Sequence, residues 1–155
     1  FSLQPRNNHT ESRRKKMSLI IATGSNIGDR KKNLLLALNH LQKKFELIAS
    51  SQICETKAVD FLDQPDFLNQ VHEFKLPDIS PLECLHQCLA IEEQMGRVRL
   101  MKYGPRLIDI DIIFWNHLKI NENNLIIPHP KWEERTFVRE PLKELPWFKV
   151  NRHLL

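Results

Sequence analysis

Nowhere in this chain do apolar residues run on for the roughly 18 positions that a membrane-spanning helix needs. The first residues also lack the basic, apolar and small-residue order of a signal peptide, so the sequence reads as soluble and cytoplasmic. Glycine is scarce, four in 155 residues, and its placement excludes the two common nucleotide loops. After Gly24-Ser25-Asn26-Ile27-Gly28-Asp29 no Lys-Ser or Lys-Thr follows, and the spacing of a dinucleotide fingerprint is missing. The three cysteines, Cys54, Cys84 and Cys88, are an odd number without a disulfide framework, which suits a reducing compartment. Internal repeats, low-complexity segments and an interdomain linker are absent.

The excess of positive charge is also confined. Arg6, Arg13, Arg14, Lys15 and Lys16, set against Glu11, account for the whole formal charge of +4. Residues 1–16 therefore read as a disordered basic tail or an expression remnant, and residues 17–155 as a neutral single domain. A nucleic-acid arm is the alternative for that tail. With 41% hydrophobic residues, the body holds enough apolar material for one core.

Hydrophobic patterning then divides the body. Ser18–Thr23 is expected as the first, central strand. Asp29 is a plausible N-cap, and Leu34, Leu38, Leu41 and Phe45 recur at helical spacing over residues 30–44. Residues 46–55 read as a second strand, 56–66 as a long loop able to close over a ligand, and 67–76 as a third strand carrying Asn69. Ser80-Pro81-Leu82-Glu83 opens a helix that Gly96 ends, with Leu82, Leu85, Leu89 and Ile91 expected inward. Cys84 and Cys88 share a face of that helix with the core leucines while His86 turns about 200° away from Cys84, which argues against a metal site. A basic loop over residues 97–105 leads to a strand at 109–115, called central because the acids sit on it. Asn116-His117 reads as a two-residue hairpin turn into residues 118–120, and short helices are expected at 133–138 and 141–145. The pattern predicts an α+β sandwich, a mostly antiparallel sheet with helices on both faces.

The chemistry concentrates in Gly104-Pro-Arg106-Leu-Ile-Asp109-Ile-Asp111-Ile112. Strict alternation puts Asp109 and Asp111 on one side of a strand, roughly 6.6 Å apart along the chain, and the isoleucines on the other. Two acids alternating with isoleucines also describe the wet face of an ordinary antiparallel strand. The surroundings favour a site. Oxygen ligands without thiolates suit Mg²⁺, which completes its shell with water and substrate phosphates. Arg97, Arg99 and Arg106 upstream, and His129 and Arg135 downstream, supply groups for those phosphates.

Several segments resemble, in order, the 6-hydroxymethyl-7,8-dihydropterin pyrophosphokinase family: Ala22-Thr-Gly-Ser-Asn26, Gln64-Pro-Asp-Phe-Leu-Asn69, Gly96-Arg-Val-Arg99, Tyr103-Gly-Pro-Arg-Leu-Ile-Asp-Ile-Asp-Ile112, and Ile127-Pro-His129 with Arg135 and Phe137. The resemblance covers about residues 17 to 145. It implies a ferredoxin-like core and transfer of pyrophosphate from ATP to a pterin alcohol, releasing AMP, in folate biosynthesis. It also implies two Mg²⁺ ions bridged by Asp109 and Asp111, with Arg97 and Arg106 as catalytic phosphate-holding groups. His129 and Arg135 would contact nucleotide phosphates, and Glu92, Arg99 and the backbone near Ile112 would lie on the adenosine side. The pterin would stack between Phe67 and Phe137, with Asn69 and Thr56 on its polar edge and Lys57, Val59 and Tyr103 nearby. The implied state is a monomer without nucleic-acid or membrane partners. Departures from the family pattern occur at Cys54, Lys57, Tyr103 and Pro130 and in a slightly short 97–106 loop. They bear on the loops at 56–66 and 97–105, which are expected to order on ATP binding and exclude water.

Two other readings stay open at this level. An RNA-stacking module of the same fold calls for a basic sheet face, whereas this body is neutral and carries two acids there. A Mg²⁺-dependent transferase with another acceptor differs only in the second substrate.

Overall fold

The computed structural model describes residues 17–57, 65–97 and 105–154. The first apolar run forms β1 (Ser18–Ser25), which lies between two antiparallel neighbours, β4 (Phe67–Lys75) and β5 (Asp109–Trp115). The far edge of β4 takes both β2 (Leu47–Ser50) and β3 (Cys54–Thr56). The order is β2-β4-β1-β5, and every described pairing in this sheet is antiparallel.

Residues 46–55, expected as one strand, are broken at Ser51. Its N–H donates to Val71 O at 2.9 Å and its hydroxyl accepts the Val71 N–H at 3.0 Å. A side chain thus replaces a ladder carbonyl, and the two halves meet β4 separately. β5, expected at the centre, stands at the end of the described sheet. Helices over the two faces bury its isoleucines, and among the described residues no second strand pairs with it.

Helices cover both faces. On one, α1 (Arg30–Gln42) and α2 (Pro81–Gln94) close over Leu19, Ile21, Ile110 and Ile112, with Leu34, Leu41, Cys84, Cys88 and Ile91 filling the space between. On the other, α3 (Thr136–Leu142) and α4 (Pro146–Asn151) pack with Trp132 on Ile20, Val71 and Phe114. The Phe114 ring lies 5.1 Å from that of Trp132 and 5.0 Å from that of Trp147. A bulge in β5 lets the strand serve both layers. Ile20 faces Phe114 while Ile21 faces Ile112, which leaves Ile113 as the extra residue and turns Ile113 and Phe114 into the second core.

The helix ends follow the expected chemistry. Asp29 accepts the Lys32 N–H at 3.2 Å, and the Ser80 hydroxyl accepts the Glu83 N–H at 3.1 Å ahead of Pro81. Gly96, at φ +87°, ends the α2 segment in the left-handed region that only glycine enters freely. The inward face of α2 follows the expectation in part. Cys84, Cys88 and Ile91 point into the core and Leu85 packs against it, whereas Leu82 and Leu89 are exposed. Residues of helical period here span more of the circumference than the sheet covers.

Asn116 and His117 do form a turn, with Leu118 N–H donating to Trp115 O at 2.9 Å. The strand beyond it, β6 (Ile120–Asn121), pairs with β7 (Ile126–Ile127) and not with β5. The helix expected at 133–138 begins only at Thr136 and runs through Pro141, and the next begins at Pro146. Among the described residues no helix is long and apolar enough to cross a membrane.

Candidate active site

The registers of β4, β1 and β5 build a floor. Gly24 faces Asn69 on one side and Asp109 on the other, and Ala22 faces Asp111. The cross-strand neighbours of the two acids are thus the smallest residues available, so the space above them stays open. A Cβ on Gly24 would stand 3.0 Å from Asn69 Oδ1. Over this floor lies a cavity of about 660 Å³ whose walls include Thr56, Lys57, Phe67, Asn69, Arg106, Asp109, Asp111, Arg135 and Phe137. All nine were picked out from sequence, and the fold gathers them from four separate segments.

Charge in the cavity is paired unevenly. Arg97 Nη1 donates to Glu92 Oε2 at 2.8 Å and to Asp109 Oδ1 at 2.9 Å, while Arg106 Nη1 reaches Asp109 Oδ2 at 3.4 Å. Asp109 is thereby held between two guanidinium groups. Burial pushes the Asp111 carboxyl well above the usual carboxylate range, the nearby charge of Asp109 adds to the rise, and Arg135 opposes it. Glu92 and a hydrogen bond with Asp109 contribute further to that rise. Two acids on one strand face therefore converge, and the charge on Asp109 raises the cost of charging Asp111.

Each aromatic wall carries a cation. The Arg106 guanidinium carbon sits 5.2 Å from the Phe67 ring centre, and that of Arg135 sits 5.7 Å from the centre of Phe137. Asn69 Nδ2 donates to Thr56 Oγ1 at 2.9 Å, so the amide and hydroxyl expected on one polar edge do touch. His129 is positioned by its backbone N–H, which donates to Ile113 O at 2.9 Å, and its Nδ1 accepts the Lys131 N–H at 3.2 Å. That leaves Nε2 as the protonated nitrogen of the neutral ring. Burial lowers the His129 pKa to about 4, helped by the charges of Arg135 and Lys131 and opposed by Asp109.

The other described residues picked from sequence fall outside the cavity wall. Glu92 is buried on α2, where Oε1 accepts the Ile110 N–H at 2.9 Å at the open edge of β5. It braces the acid-bearing strand. Ile112 turns its side chain into the core and leaves only its backbone toward any ligand. Val59, Arg99 and Tyr103, with most of the two loops expected to order on ATP binding, lie outside the described residues. Sequence reasoning passed over Gly24, Lys131 and Glu134, all of which line the cavity. The position of Lys131, two residues beyond His129, was the available signal, and Gly24 belongs to a turn that carries little information alone.

Comparison with known proteins agrees with this geometry. A family profile described as 7,8-dihydro-6-hydroxymethylpterin-pyrophosphokinase matches residues 20–146. The chain is 42% identical over 127 residues to the 2-amino-4-hydroxy-6-hydroxymethyldihydropteridine pyrophosphokinase of Bacillus subtilis (strain 168), covering 81% of this chain and 75% of that one. To the Pneumocystis carinii folic acid synthesis protein fol1 it is 38% identical, covering 83% of this chain and 17% of that much longer one. Among solved structures, Plasmodium falciparum HPPK-DHPS with pteroate superimposes with a TM-score of 0.62 at 18% identity, covering 82% of this chain and 38% of that one, a likeness of fold. The chain belongs to the 7,8-dihydro-6-hydroxymethylpterin-pyrophosphokinase family.

Proposed function

We propose that the cavity brings ATP and 6-hydroxymethyl-7,8-dihydropterin together and that the chain transfers pyrophosphate to the pterin hydroxymethyl oxygen, releasing AMP for the folate pathway. The observation that carries this reading is one cavity holding a pair of converging acids, three arginines on or bonded to its wall, and two aromatic rings each capped by one of those arginines.

The acid pair fits Mg²⁺. Asp109 and Asp111 supply hard oxygen ligands, and a divalent cation would offset the burial and the neighbouring Asp109 charge that hold Asp111 above the usual carboxylate range. Among the described residues no group of three or more His, Cys, Asp or Glu could hold a metal ion. The two aspartates would therefore hold ions, two in our reading, whose shells are completed by water and phosphate oxygens. When bound, Mg²⁺ supplies neutralisation of the phosphates and keeps the β-phosphorus open to in-line attack.

The protein's own residues do the rest. Arg97, Arg106 and Arg135 spread positive charge over the triphosphate, and His129, neutral near pH 7, donates Nε2–H to a phosphate oxygen. Phe67 and Phe137 clasp the flat bicycle while Asn69 and Thr56 meet its polar edge. An alcohol held between rings that each carry a guanidinium lies beside the cations that hold the phosphates, and its oxygen accepts the pyrophosphoryl group as AMP leaves. Most of the acceleration then comes from positioning and charge, with no strong general base required. Glu92, Arg99 and the Ile112 backbone remain our assignments for the adenosine side, and Lys57, Val59 and Tyr103 for the pterin side.

We read residues 17–155 as the catalytic unit and the chain as a monomer working in a reducing cytoplasm. The test is AMP release measured with ATP alone, the pterin alcohol alone and both. Release that requires both supports the assignment, and release indifferent to the pterin overturns it.

A further inference from the structure

We propose that Asn26 is a positioning residue that sets Arg106 against Phe67; this deepens the reaction assigned above and rests on it. Asn26 is fully buried. Its Oδ1 accepts the Arg106 N–H at 2.8 Å, its backbone N–H donates to Arg106 O at 3.2 Å, and its Nδ2 donates to Pro65 O at 3.1 Å. One amide group therefore joins two segments remote in sequence. One leads into β4 and carries Phe67, and the other leads into β5 and carries Arg106.

The pairing fixes the amide orientation. An N–H faces the oxygen and a carbonyl faces the nitrogen, so the reverse placement would leave two like groups in contact. No other side chain of this size offers a donor and an acceptor in one plane. Aspartate at neutral pH turns a second acceptor toward Pro65 O, and serine is too short to reach both. The Arg106 side chain that issues from this anchored backbone bonds Asp109 Oδ2 at 3.4 Å and lies 5.2 Å from the Phe67 ring centre. Arg30 secures the same entrance to β4 from outside, donating to Asp66 O at 2.8 Å and Glu55 Oε1 at 3.1 Å. With the Phe67 side held by two contacts, losing Asn26 releases chiefly Arg106 relative to the pterin wall. A misplacement of about 1 Å in a reacting group lowers rate by about 100-fold.

The test compares Asn26→Ser and Asn26→Asp with the parent and with Glu73→Gln. Glu73 is buried far from the cavity chemistry, where it accepts from Ser18 Oγ at 2.9 Å and from the Trp147 N–H at 2.9 Å. Its substitution lowers stability without touching the site. Active sites are counted by titration with a non-hydrolysable ATP analogue, and kcat and both KM values are measured per folded site well below each melting temperature. The expected result is a fall in kcat of about 10- to 100-fold in both Asn26 variants, with each KM within about threefold of the parent's and Glu73→Gln unchanged in kcat. Asn26 variants that keep kcat per folded site within about twofold overturn the role, as does an equal loss in Glu73→Gln. A parent that releases no AMP with both substrates overturns the reaction assignment itself, and this role with it.

Discussion

Replacing Arg97 with methionine separates structural from catalytic use of the same charge. The Arg97 side chain is 11% exposed, and its partners Glu92 and Asp109 are 4% and 23% exposed at their side chains. These pairs are shielded from water, unlike surface ion pairs, whose net effect is about 0–1 kcal/mol. Removing one partner of a buried pair costs about 3–5 kcal/mol because the other charge is left uncompensated. Here Glu92 keeps the Ile110 N–H and Asp109 keeps Arg106, which places the loss near the lower figure, about 3 kcal/mol. For a chain of this length that is a fall of roughly 6–12 °C in Tm.

Magnesium sharpens the test. In the parent, a cation at Asp109 must share a carboxylate that Arg97 already holds, whereas in Arg97→Met it takes the vacated place. Millimolar Mg²⁺ should therefore raise the Tm of the variant more than that of the parent, while turnover stays depressed by about 10³-fold for want of the phosphate-holding guanidinium. Calorimetry with and without Mg²⁺, alongside AMP release, reads both. A stability loss below about 1 kcal/mol, with equal Mg²⁺ shifts in the two proteins, would refute the claim that Arg97 and the metal compete for one carboxylate.

Three further outcomes follow from the same geometry. Asp111→Asn should abolish Mg²⁺-dependent turnover yet raise metal-free stability, since it removes a carboxylate that burial and Asp109 both disfavour; thermal melts in EDTA check the sign. Gly24→Ala places a Cβ 3.0 Å from Asn69 Oδ1, whose amide Thr56 already holds, and should weaken pterin binding by about tenfold with little change in ATP affinity, read by titration calorimetry. His72 is fully buried, bonded to Ser50 Oγ at 2.7 Å, and burial lowers its pKa to about 4. The unfolded chain takes that proton near pH 6.5, so between pH 6.5 and about 4 the unfolded state binds more protons and stability falls as the pH falls. The loss from this residue amounts to about 3 kcal/mol by pH 4. His72→Gln should flatten that limb in urea melts from pH 7 to 4.5.

How much of this could be read from the sequence depends on whether the property was local. Helix caps are local, and Asp29 and Ser80 cap as their types predict. The alternation of Asp109 and Asp111 with isoleucines is local too, and the structure keeps it. Strand order is not local. The place of β5 at the sheet end, the break at Ser51 and the exposure of Leu82 and Leu89 depend on what approaches from elsewhere in the chain, and periodicity within a segment carries no record of that. The cavity residues that escaped notice belong to the same class. Gly24 matters because Asn69 and Asp109 flank it across two strand pairings, which only the register reveals.

The end position of β5 also bears on the chemistry. A strand with an open edge leaves backbone N–H groups that must find partners, and at Ile110 the partner is Glu92. The same carboxylate holds Arg97, and Arg97 holds Asp109. An edge that another strand would otherwise have covered is closed by a side chain from α2, and that closure carries a cation to the acid pair. Were β5 central, a neighbouring strand would satisfy Ile110 and Glu92 would have no backbone to brace. The acids and the guanidinium would then lack their shared anchor. The open edge is thus a condition for bringing one arginine to two carboxylates within 3 Å, and the site depends on it as much as on the acids themselves.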